Sequence, residues 1–380
     1  MKPLVVLGVT GSIGRQSLEV ADQLGWPVAG IGARRPSAGL AQIARSRPET
    51  KIAVAGGSIE EREEFSREFR ARVSFGPEAL EELAGIPNAV VVNGVVGLVG
   101  LPLTMAAAKA GNRIALANKE SMVAAGPLIR RELERSGGEL IPVDSEHSAI
   151  FQCLTGEDRE SVERVILTAS GGPFRTWEVD QLESVTPAEA LAHPNWSMGD
   201  RITIDSATMA NKALEVMEAQ QLFELEVDQV EVVIHPESVV HSMVRFRDGS
   251  IKAQLGAPDM RLPIAYALTF PERAPDVLKP FDFAGVSLNF EAPDLTRFPA
   301  LALGYFAARL GQSAPAVYNA SDEVAVAAFL GGRLGFRSIT SVIERTLEGL
   351  GVQSVESVDD VLAADREARS LAAAAIAGAC

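Results

Sequence analysis

Two acidic side chains stand one residue apart at the end of an apolar run. Asp144 and Glu146 follow Glu139–Val143, with Ser145 between them. In an extended segment residues i and i+2 point to the same side, so both carboxylates can face one point. Two like charges placed in this way need a proton, a cation or solvent between them. The pair indicates such a site, and an acidic strand end on the surface is the alternative.

A second polar group lies in the segment 205–215. If a helix begins here, Asn211 and Lys212 stand four and three residues before Glu215, on neighbouring rows of one face. Ser206, Asn211 and Lys212 form an efficient set of phosphate donors: a hydroxyl, an amide and a point charge. The alternative is a surface pair of Lys212 and Glu215, which is worth well under about 1 kcal/mol.

A further candidate phosphate donor is Ser170, which is followed by Gly171 and Gly172. A hydroxyl ahead of two glycines combines a donor with open backbone, at the end of another predicted strand. Spacing alone does not unite this segment with the two polar groups above.

A glycine-rich turn follows the first apolar run, with the sequence GVTGSIG at 8–14. Glycines let backbone N–H groups approach a pyrophosphate, and the N-terminus of the next helix favours its negative charge. The GxxGxxG spacing is a weak signal by itself, and a turn that serves only packing is the alternative. Its position after the first strand favours a dinucleotide.

Two arginines follow the second predicted strand, where an NAD-binding domain usually presents an acidic residue to the ribose. Arg34 and Arg35 stand there instead, with Ser37 close behind. Guanidinium groups suit a 2′-phosphate, so the sequence predicts NADP(H). A solvated pair of loop arginines is the alternative.

The elements that would position these residues are short apolar runs alternating with amphipathic segments such as Arg15–Leu24. Runs rich in Val and Ile, separated by helices, indicate a parallel sheet covered on both faces, and hence a doubly wound α/β domain. The mostly apolar stretch Ala89–Ala110 is interrupted by Asn93 and Pro102, which predicts a buried strand, a turn and a helix instead of a membrane span. The predicted strands are Leu4–Leu7, Pro27–Ile31, Lys51–Ala55, Asn88–Val92, Arg113–Ala117 and Glu139–Val143.

The pattern changes from about Ser148, where a mixed sheet with an antiparallel edge fits better than a second doubly wound half. Asp248-Gly249 predicts a hairpin between two of its strands. The predicted strands are Val162–Leu167, Arg201–Ile204, Val230–Ile234, Val239–Phe246 and Ser250–Leu255, and the helix Met209–Leu222 follows the second of them.

Beyond the mixed sheet, the proline-rich segment 271–299 predicts an ordered connection, because prolines remove backbone donors and resist helix formation. A small helical bundle then ends the chain, with predicted helices at Ala300–Leu310, Asp322–Leu330, Ser338–Leu347 and Val358–Ala377. We therefore expect a dinucleotide-binding, Rossmann-like domain over 1–147, an α+β domain with the mixed sheet and the candidate phosphate donors over 148–270, a linker over 271–299 and a helical domain over 300–380.

Composition narrows the classes of function. The 380 residues carry a formal net charge of −15, which argues against a nucleic-acid partner. Cys153 and Cys380 are far apart and no CxxC is present, so a disulfide framework or thiolate zinc site is not expected. Met1 leads straight into an apolar run without a charged leader, which predicts a cytoplasmic protein.

Eight segments together resemble the signature segments of the 1-deoxy-D-xylulose 5-phosphate reductoisomerase family. They occur in family order, and jointly they are highly specific although each is modest alone. The segments are GVTGSIG at 8–14, LANKES at 116–121, PVDSEHSAIFQ at 142–152, SGGPF at 170–174, HPNWSMG at 193–199, DSATMANKALEVMEA at 205–219, IHPESVVHSMV at 234–244 and NASDEVAVAAF at 319–329. The chain departs from the family pattern at Ala33-Arg34-Arg35, where a Gly-Lys-Asn-like pattern is common, and at Asp322, where Asn is common.

The resemblance implies a reaction. The family uses NADPH to convert 1-deoxy-D-xylulose 5-phosphate to 2-C-methyl-D-erythritol 4-phosphate, by a metal-assisted skeletal rearrangement and a hydride transfer, in the non-mevalonate route to isoprenoid precursors. It also implies a homodimer, with the hairpin at Asp248-Gly249 as a contact region. All-oxygen ligation makes Mg²⁺ or Mn²⁺ the expected metal. The implied ligands are Asp144, Glu146 and Glu215.

By similarity, the catalytic residues would be Lys119, Glu146 and His193. His193 and Trp196 would belong to a mobile lid with Gly199 as a hinge. The implied substrate-binding residues are Lys119, Ser145, Glu146, Ser170, His193, Trp196, Ser197, Ser206, Asn211, Lys212 and Glu215. The implied cofactor-binding residues are Gly8, Thr10, Gly11, Ser12, Ile13, Arg34, Arg35, Asn118, Glu120 and Gly199.

Purely structural roles remain possible for the aromatic and imidazole side chains. Trp196 would then be a half-buried packing residue, His235 and His241 core histidines, and His147 a structural neighbour of Glu146. Two rival functions also stay open. A metal-free NADP-linked carbonyl reductase would leave Asp144, Glu146 and Glu215 without a task. A non-catalytic NADP-binding sensor would show no turnover.

Overall fold

The structure is a computed structural model that describes residues 1–193, 195–196 and 198–378. By compactness the chain forms two units. The first comprises Met1–Ser121, Ile129–Ser148 and Asp259–Pro280, and the second comprises Met122–Leu128, Ala149–Pro258 and the chain from Phe281 onward. Whether the four domains predicted from the sequence fold independently stays a prediction.

The first unit contains a seven-stranded sheet in the order β4-β3-β2-β1-β5-β6-β7. Every neighbouring pair is parallel. This confirms the doubly wound pattern and all six predicted strands, with bounds shifted by one or two residues. The strands are β1 Leu4–Leu7, β2 Val28–Ala33, β3 Lys51–Val54, β4 Val73–Phe75, β5 Val90–Asn93, β6 Arg113–Leu116 and β7 Glu139–Pro142.

One strand of this sheet, β4, escaped the sequence analysis. It has three residues, none of them buried, and lies at the edge of the sheet. A segment so short has no apolar run, so its pairing with β3 is decided by the tertiary structure.

Helices connect the parallel strands, as crossover connections between parallel strands require. The helices up to residue 154 are α1 Ser12–Gln23, α2 Ala38–Arg45, α3 Ile59–Phe69, α4 Pro77–Ala84, α5 Leu101–Lys109, α6 Lys119–Ser136 and α7 Ser145–Leu154. The stretch Ala89–Ala110 therefore forms a strand and a helix, as predicted. Among the described residues, none of the helices combines the length and the apolar character of a membrane span.

The strand order reverses between β1 and β5, since the chain builds outward to β4 and then returns to build the other half. Ligands of open α/β sheets bind at such a switch point, beyond the carboxyl ends of the strands. Gly8 follows β1 there, and Gly94 follows β5. The glycine-rich turn thus occupies the expected place.

The second unit contains a four-stranded sheet in the order β11-β10-β8-β9. The pair β8–β9 is parallel, whereas β10 is antiparallel to both β8 and β11. The predicted mixed sheet and the hairpin at Asp248-Gly249 are confirmed. The strands are β8 Val162–Ala169, β9 Val230–Ile234, β10 Val240–Phe246 and β11 Ile251–Leu255.

The remaining helices include the predicted terminal four. They are α8 Pro187–Ala190, α9 Asp200–Thr208, α10 Ala210–Phe223, α11 Arg261–Thr269, α12 Ala300–Leu310, α13 Ala314–Leu330, α14 Ser338–Leu350 and α15 Val358–Ala377. In the connection before α12, Ile234 pairs with Glu291 through two backbone hydrogen bonds of 2.8 and 2.9 Å.

The prediction of a strand at Arg201–Ile204 is wrong, because these residues lie inside α9. The three consecutive β-branched residues Ile202, Thr203 and Ile204 favour a strand locally. Tertiary packing overrides that preference: Thr203 and Ile204 are buried together, and Arg201 pairs with Asp205 one helical turn later.

Helices and sheet of the second unit share one hydrophobic core. Val165 and Val244 contribute to it from the sheet, and Met217, Tyr318 and Phe329 contribute from the helices, all of them buried. The segments that carry the second polar group, α9 and α10, are therefore held by the terminal helices as well as by the sheet.

Candidate active site

The turn from Gly8 to Gly14 is closed so tightly that neither Gly8 nor Gly14 has room for a side chain. Gly8 has φ +77°, and a Cβ there would lie 2.5 Å from the carbonyl oxygen of Gly94. A Cβ on Gly14 would lie 2.4 Å from the carbonyl oxygen of Gly8. Gly11 and Ser12 are exposed at the start of α1. The glycines therefore serve packing, and the same packing leaves a helix N-terminus open to an anion.

Arg34 and Arg35 are exposed just beyond β2. Neither guanidinium has a hydrogen-bond or ion-pair partner among the described residues. Ser37 has a separate task, since its hydroxyl accepts the amide N–H of Leu40 (3.1 Å) as the cap of α2. The two arginines remain candidates for a 2′-phosphate.

Asn118 and Glu120 tie the segment 95–97 to the start of α6. The Asn118 amide donates to the carbonyl oxygens of Val95 (2.7 Å) and Gly97 (2.9 Å). Glu120 accepts the N–H of Gly97 (3.0 Å). The structure gives both buried side chains a positioning task, while their contact with a nicotinamide stays a prediction.

Lys119 and Asp144 form a buried ion pair. Nζ lies 2.5 Å from Oδ2, with side-chain exposures of 8% and 12%. Burial alone would raise the pKa of Asp144, but the charge of Lys119 and a hydrogen bond from His147 outweigh it and hold that pKa well below its usual value. Asp144 is therefore an ionised carboxylate, as a metal ligand must be.

The extended geometry predicted for Asp144 and Glu146 is wrong, because α7 begins at Ser145 and Glu146 lies in its first turn. The carbonyl of Asp144 accepts the N–H of Ser148 (2.8 Å), so Asp144 stands at the N-cap. Asp at the N-cap and Glu in the first turn are helix-start signals. Ser145 donates to Glu146 Oε2 (2.6 Å).

Asn211 and Lys212, in the first turn of α10, both contact Glu215 in the second turn. The Asn211 amide donates to Glu215 Oε1 (2.5 Å), and the Lys212 ammonium donates to Oε2. Lys212 and Glu215 are only 3% and 1% exposed. The surface-pair interpretation is therefore wrong, since burial of two charges has a cost that an incidental surface pair never meets.

Ser170 and Ser206 belong to two segments in direct contact. Gly172 has φ +68°, and a Cβ there would lie 2.8 Å from the carbonyl oxygen of Ser206. The N–H of Gly172 donates to the Ser170 hydroxyl (3.2 Å). The turn after β8 therefore rests against the end of α9.

His193 reaches the same turn. Its Nδ1 accepts the backbone N–H groups of Asn195 (3.2 Å) and Trp196 (3.0 Å), so the ring proton stands on Nε2. Nε2 lies 3.0 Å from the Ser170 hydroxyl and donates to it. Burial lowers the pKa of His193, which favours this neutral form.

For the other residues of the predicted lid, the structure gives contacts away from Ser170. Trp196 is half-buried, with its ring centroid 6.4 Å from that of His241. Gly199 is exposed and caps α9, its carbonyl accepting the N–H of Thr203 (3.1 Å). The predicted phosphate ligand Ser197 lies outside the described residues.

The core interpretation suits His235 and His241. His235 stacks on Phe290 and is hydrogen-bonded through both ring nitrogens, to Asn289 and Val239. Burial lowers the pKa of His241 to about 4.

Asn195 was not singled out from the sequence. Its amide donates to the carbonyl of Pro236 (2.6 Å) and to the Ser238 hydroxyl (3.0 Å), which ties the predicted lid to the segment after β9. Its position between Pro194 and Trp196 in an exposed loop was the available signal.

Asp144 and Glu146 in the first unit, and Glu215 in the second, are among the described carboxylates that could serve a metal ion as ligands. Buried lysines accompany two of them, Lys119 beside Asp144 and Lys212 beside Glu215. The set consists of hard oxygen donors, which suit Mg²⁺ or Mn²⁺ better than zinc.

Three family models match most of the chain. The model of 1-deoxy-D-xylulose 5-phosphate reductoisomerase matches residues 4–126, and the C-terminal domain models of that enzyme match 140–223 and 255–371. All the residues proposed above for the metal and phosphate lie within the second of these ranges.

Curated relatives match nearly end to end. A 1-deoxy-D-xylulose 5-phosphate reductoisomerase from Pseudomonas aeruginosa is 50% identical over 97% of this chain and 96% of its own length. One from Thermus thermophilus is 51% identical over 92% of this chain and 93% of its own.

Solved structures agree in fold. A DOX-P reductoisomerase in complex with NADPH, fosmidomycin and magnesium has a TM-score of 0.93, 37% identity and coverage of 99% of this chain and 98% of that chain. The 1-deoxy-D-xylulose 5-phosphate reductoisomerase from Zymomonas mobilis in complex with NADPH has a TM-score of 0.91, 41% identity and coverage of 99% of each. The chain belongs to the 1-deoxy-D-xylulose 5-phosphate reductoisomerase family.

Proposed function

We propose that this protein converts 1-deoxy-D-xylulose 5-phosphate and NADPH to 2-C-methyl-D-erythritol 4-phosphate, by skeletal rearrangement followed by hydride transfer, in isoprenoid precursor synthesis. The observation that carries the proposal is membership of the family at about 50% identity over nearly the whole chain. A relative's structure holds NADPH, fosmidomycin and magnesium on the same fold.

The divalent cation would be held by Asp144, Glu146 and Glu215. Asp144 fits this role because it is ionised although only 12% of its side chain is exposed. When bound, Mg²⁺ or Mn²⁺ polarises the C–O bonds of the substrate's carbonyl and hydroxyl groups. Lys119 and Lys212 form ion pairs with two of the carboxylates, Asp144 and Glu215, and would in turn donate to substrate oxygens.

The phosphate group would be bound by Ser170, Ser206, Asn211 and Lys212, with Ser197 as a further ligand. The contacts of Ser170 support this role. Its oxygen accepts the Nε2–H of His193 and the N–H of Gly172, so its own hydroxyl proton is left to donate outward. An outward hydroxyl donor is what a phosphate oxygen requires.

NADPH would lie along the carboxyl edge of the parallel sheet. The backbone of Gly8, Thr10, Gly11, Ser12 and Ile13 would cradle the pyrophosphate, because Gly8 and Gly14 let this turn close tightly and α1 begins beside it. Arg34 and Arg35 would bind the 2′-phosphate. Bound NADPH supplies the hydride.

The remaining residues would position the substrate. Lys119, Glu146 and Ser145 would contact its polar oxygens, and Asn118 and Glu120 would shape the nicotinamide end through the segment 95–97. His193 and Trp196, with Gly199, would cover the substrate as a lid that excludes water.

A cytoplasmic homodimer completes the proposal. The edge strand β11 is half-exposed, with Ile251 52% exposed, and the segment after Pro280 exposes Phe283 and Phe290. Open strand edges and exposed apolar side chains are features of protein–protein contacts. The acidic net charge fits a protein without a nucleic-acid partner.

A coupled assay tests the proposal. NADPH oxidation is followed at constant enzyme with 1-deoxy-D-xylulose 5-phosphate, before and after exhaustive chelation and then with Mg²⁺ restored. We expect turnover that chelation abolishes and Mg²⁺ restores. Turnover that survives chelation would support a metal-free carbonyl reductase, and no turnover at all would support a non-catalytic NADP-binding protein.

A further inference from the structure

A buried ion-pair network joins α9 to two terminal helices, and it lies outside the residues proposed to touch substrate. We propose that its central member, Arg201, is a positioning residue for phosphate recognition, holding α9 against α13 so that Ser206 and Asn211 are presented to the substrate. This inference rests on the proposed function, because it assigns a task at the phosphate site.

Arg201 contacts α13 through three different side chains. Its Nη2 donates to Asn319 Oδ1 (2.8 Å) and lies 3.3 Å from Asp322 Oδ2, and its Nη1 lies 3.0 Å from Glu323 Oε1. Its Nε lies 3.5 Å from Asp205 Oδ2 on its own helix. A planar guanidinium with five donors can bridge two helices in this way, which a lysine cannot.

The network continues to α15. Arg369 donates to Glu323 Oε2 (2.6 Å) and to Asp365 Oδ2 (2.7 Å). Among the described residues, Arg369 connects α13 to α15 and forms no hydrogen bond or ion pair with α9. The two arginines occupy the inner and outer ends of one network, which makes Arg369 a matched control for Arg201.

Burial makes the inner end expensive to disturb. Asp322 is fully buried and Asp205 nearly so, while Arg201 is 17% exposed. Burial raises the pKa of Asp322 although the Arg201 charge opposes the shift. Asp322 is also hydrogen-bonded to Asp205, and Asn at position 322 would keep an oxygen towards Arg201 without the carboxylate charge.

Position on α9 links the network to the phosphate site. Asp205 immediately precedes Ser206, whose carbonyl packs against Gly172 in the turn that carries Ser170. At Met209 the chain takes φ +67° and enters α10, which carries Asn211 and Lys212. A shift or rotation of α9 would therefore move Ser206 and the start of α10 relative to Ser170.

The experiment compares Arg201→Met, Arg201→Lys, Arg369→Met and Asp322→Asn with the parent protein. Steady-state kinetics give KM for 1-deoxy-D-xylulose 5-phosphate and for NADPH separately, and thermal unfolding gives Tm. We expect Arg201→Met to raise KM for the sugar phosphate about tenfold or more, with KM for NADPH unchanged. Arg201→Lys should restore part of the loss, and Arg369→Met and Asp322→Asn should leave both KM values unchanged.

A double variant separates position from stability. Arg201→Met combined with Asp322→Asn removes the bridge and also removes an acidic group that the bridge had balanced. We expect it to recover Tm relative to Arg201→Met while KM for the sugar phosphate stays raised. Recovery of KM together with Tm, or equal KM changes in Arg201→Met and Arg369→Met, would overturn the proposal.

Two further outcomes are informative. If Arg201→Met does not fold, Arg201→Lys against Arg369→Met carries the same comparison. If the parent protein shows no turnover of the sugar phosphate, the proposed function fails. Calorimetric titration with inorganic phosphate then tests directly whether Arg201 positions the phosphate-binding residues. Parent and Arg201→Lys proteins that bind phosphate equally, or a parent that binds none, would overturn it.

Discussion

The Nε2 of His193 lies 3.0 Å from the hydroxyl of Ser170, while its Nδ1 accepts two backbone N–H groups from Asn195 and Trp196. One neutral imidazole therefore couples the backbone of the predicted lid to a predicted phosphate ligand. Because Nδ1 must accept and Nε2 must donate, the tautomer and the direction of the Ser170 hydroxyl are set together.

Replacing Ser170 with Ala should lower kcat/KM for the sugar phosphate by about 10- to 100-fold, the effect of losing one hydrogen bond to a charged group. His193→Ala should act in the same direction, because it leaves the Ser170 hydroxyl free to turn away from the ligand. Steady-state kinetics check both. Ser184→Ala, at an exposed hydroxyl bonded to Gln181, is the control and should have no effect.

Neutralising a proposed metal ligand should lower activity far more than neutralising an acidic residue outside the site. Glu215→Gln and Asp144→Asn should each lower turnover at least about 10²-fold at saturating Mg²⁺, since each removes one transition-state charge stabiliser. Glu224→Gln, at an exposed acid just beyond α10, should be neutral. If Glu215→Gln retains parent activity and the parent Mg²⁺ requirement, the ligand set is wrong.

Cofactor choice should depend on the exposed arginines. The double change Arg34→Ala with Arg35→Ala should lower the preference for NADPH over NADH at least about tenfold, because the 2′-phosphate loses its guanidinium partners. The ratio of kcat/KM for the two cofactors measures this preference. Arg45→Ala, at an exposed arginine paired with Glu68, should not change the ratio.

Acid should destabilise the second unit through His241. Its folded pKa of about 4 lies below the ordinary histidine value of 6.5, so the stabilisation is complete above about pH 6.5 and is lost as the pH falls towards 4. At about 1.4 kcal/mol per pKa unit, the loss is roughly 3 kcal/mol. Urea unfolding of the parent and of His241→Gln across this range should show that difference. Identical pH profiles would contradict the assignment.

The glycine-rich turn should not tolerate a methyl group at Gly14. Gly14→Ala places Cβ 2.4 Å from the Gly8 carbonyl and 2.5 Å from Val9 Cα, both backbone atoms, and should cost about 1–3 kcal/mol and weaken NADPH binding. Gly39→Ala in α2, with 3.7 Å to its nearest neighbour, should be neutral or stabilising. Unfolding free energy and a fluorescence titration with NADPH distinguish the two.

Local patterns in the sequence determined most of the architecture. The parallel strands β1, β5 and β6 follow from continuous apolar runs, and α12 and α15 begin and end as predicted. Both kinds of element could be predicted because hydrophobic periodicity and the residues that end a helix or strand are local features of the sequence. The motifs around Asp144 and Asn211 also marked the candidate site, since chemistry of this kind needs particular residue types at particular spacings.

Tertiary structure alone decided which partner each side chain takes. The local sequence of Arg201–Ile204 predicts a strand, but the segment folds as a helix because it packs against α13. Arg201 contacts Asp322, which lies 121 positions away in the sequence. The burial of Lys212 with Glu215, the pairing of Lys119 with Asp144 and the tautomer of His193 likewise depend on groups brought together in space. Burial sets the strength of such ion pairs and hydrogen bonds, and the burial of a residue cannot be deduced from the local sequence around it.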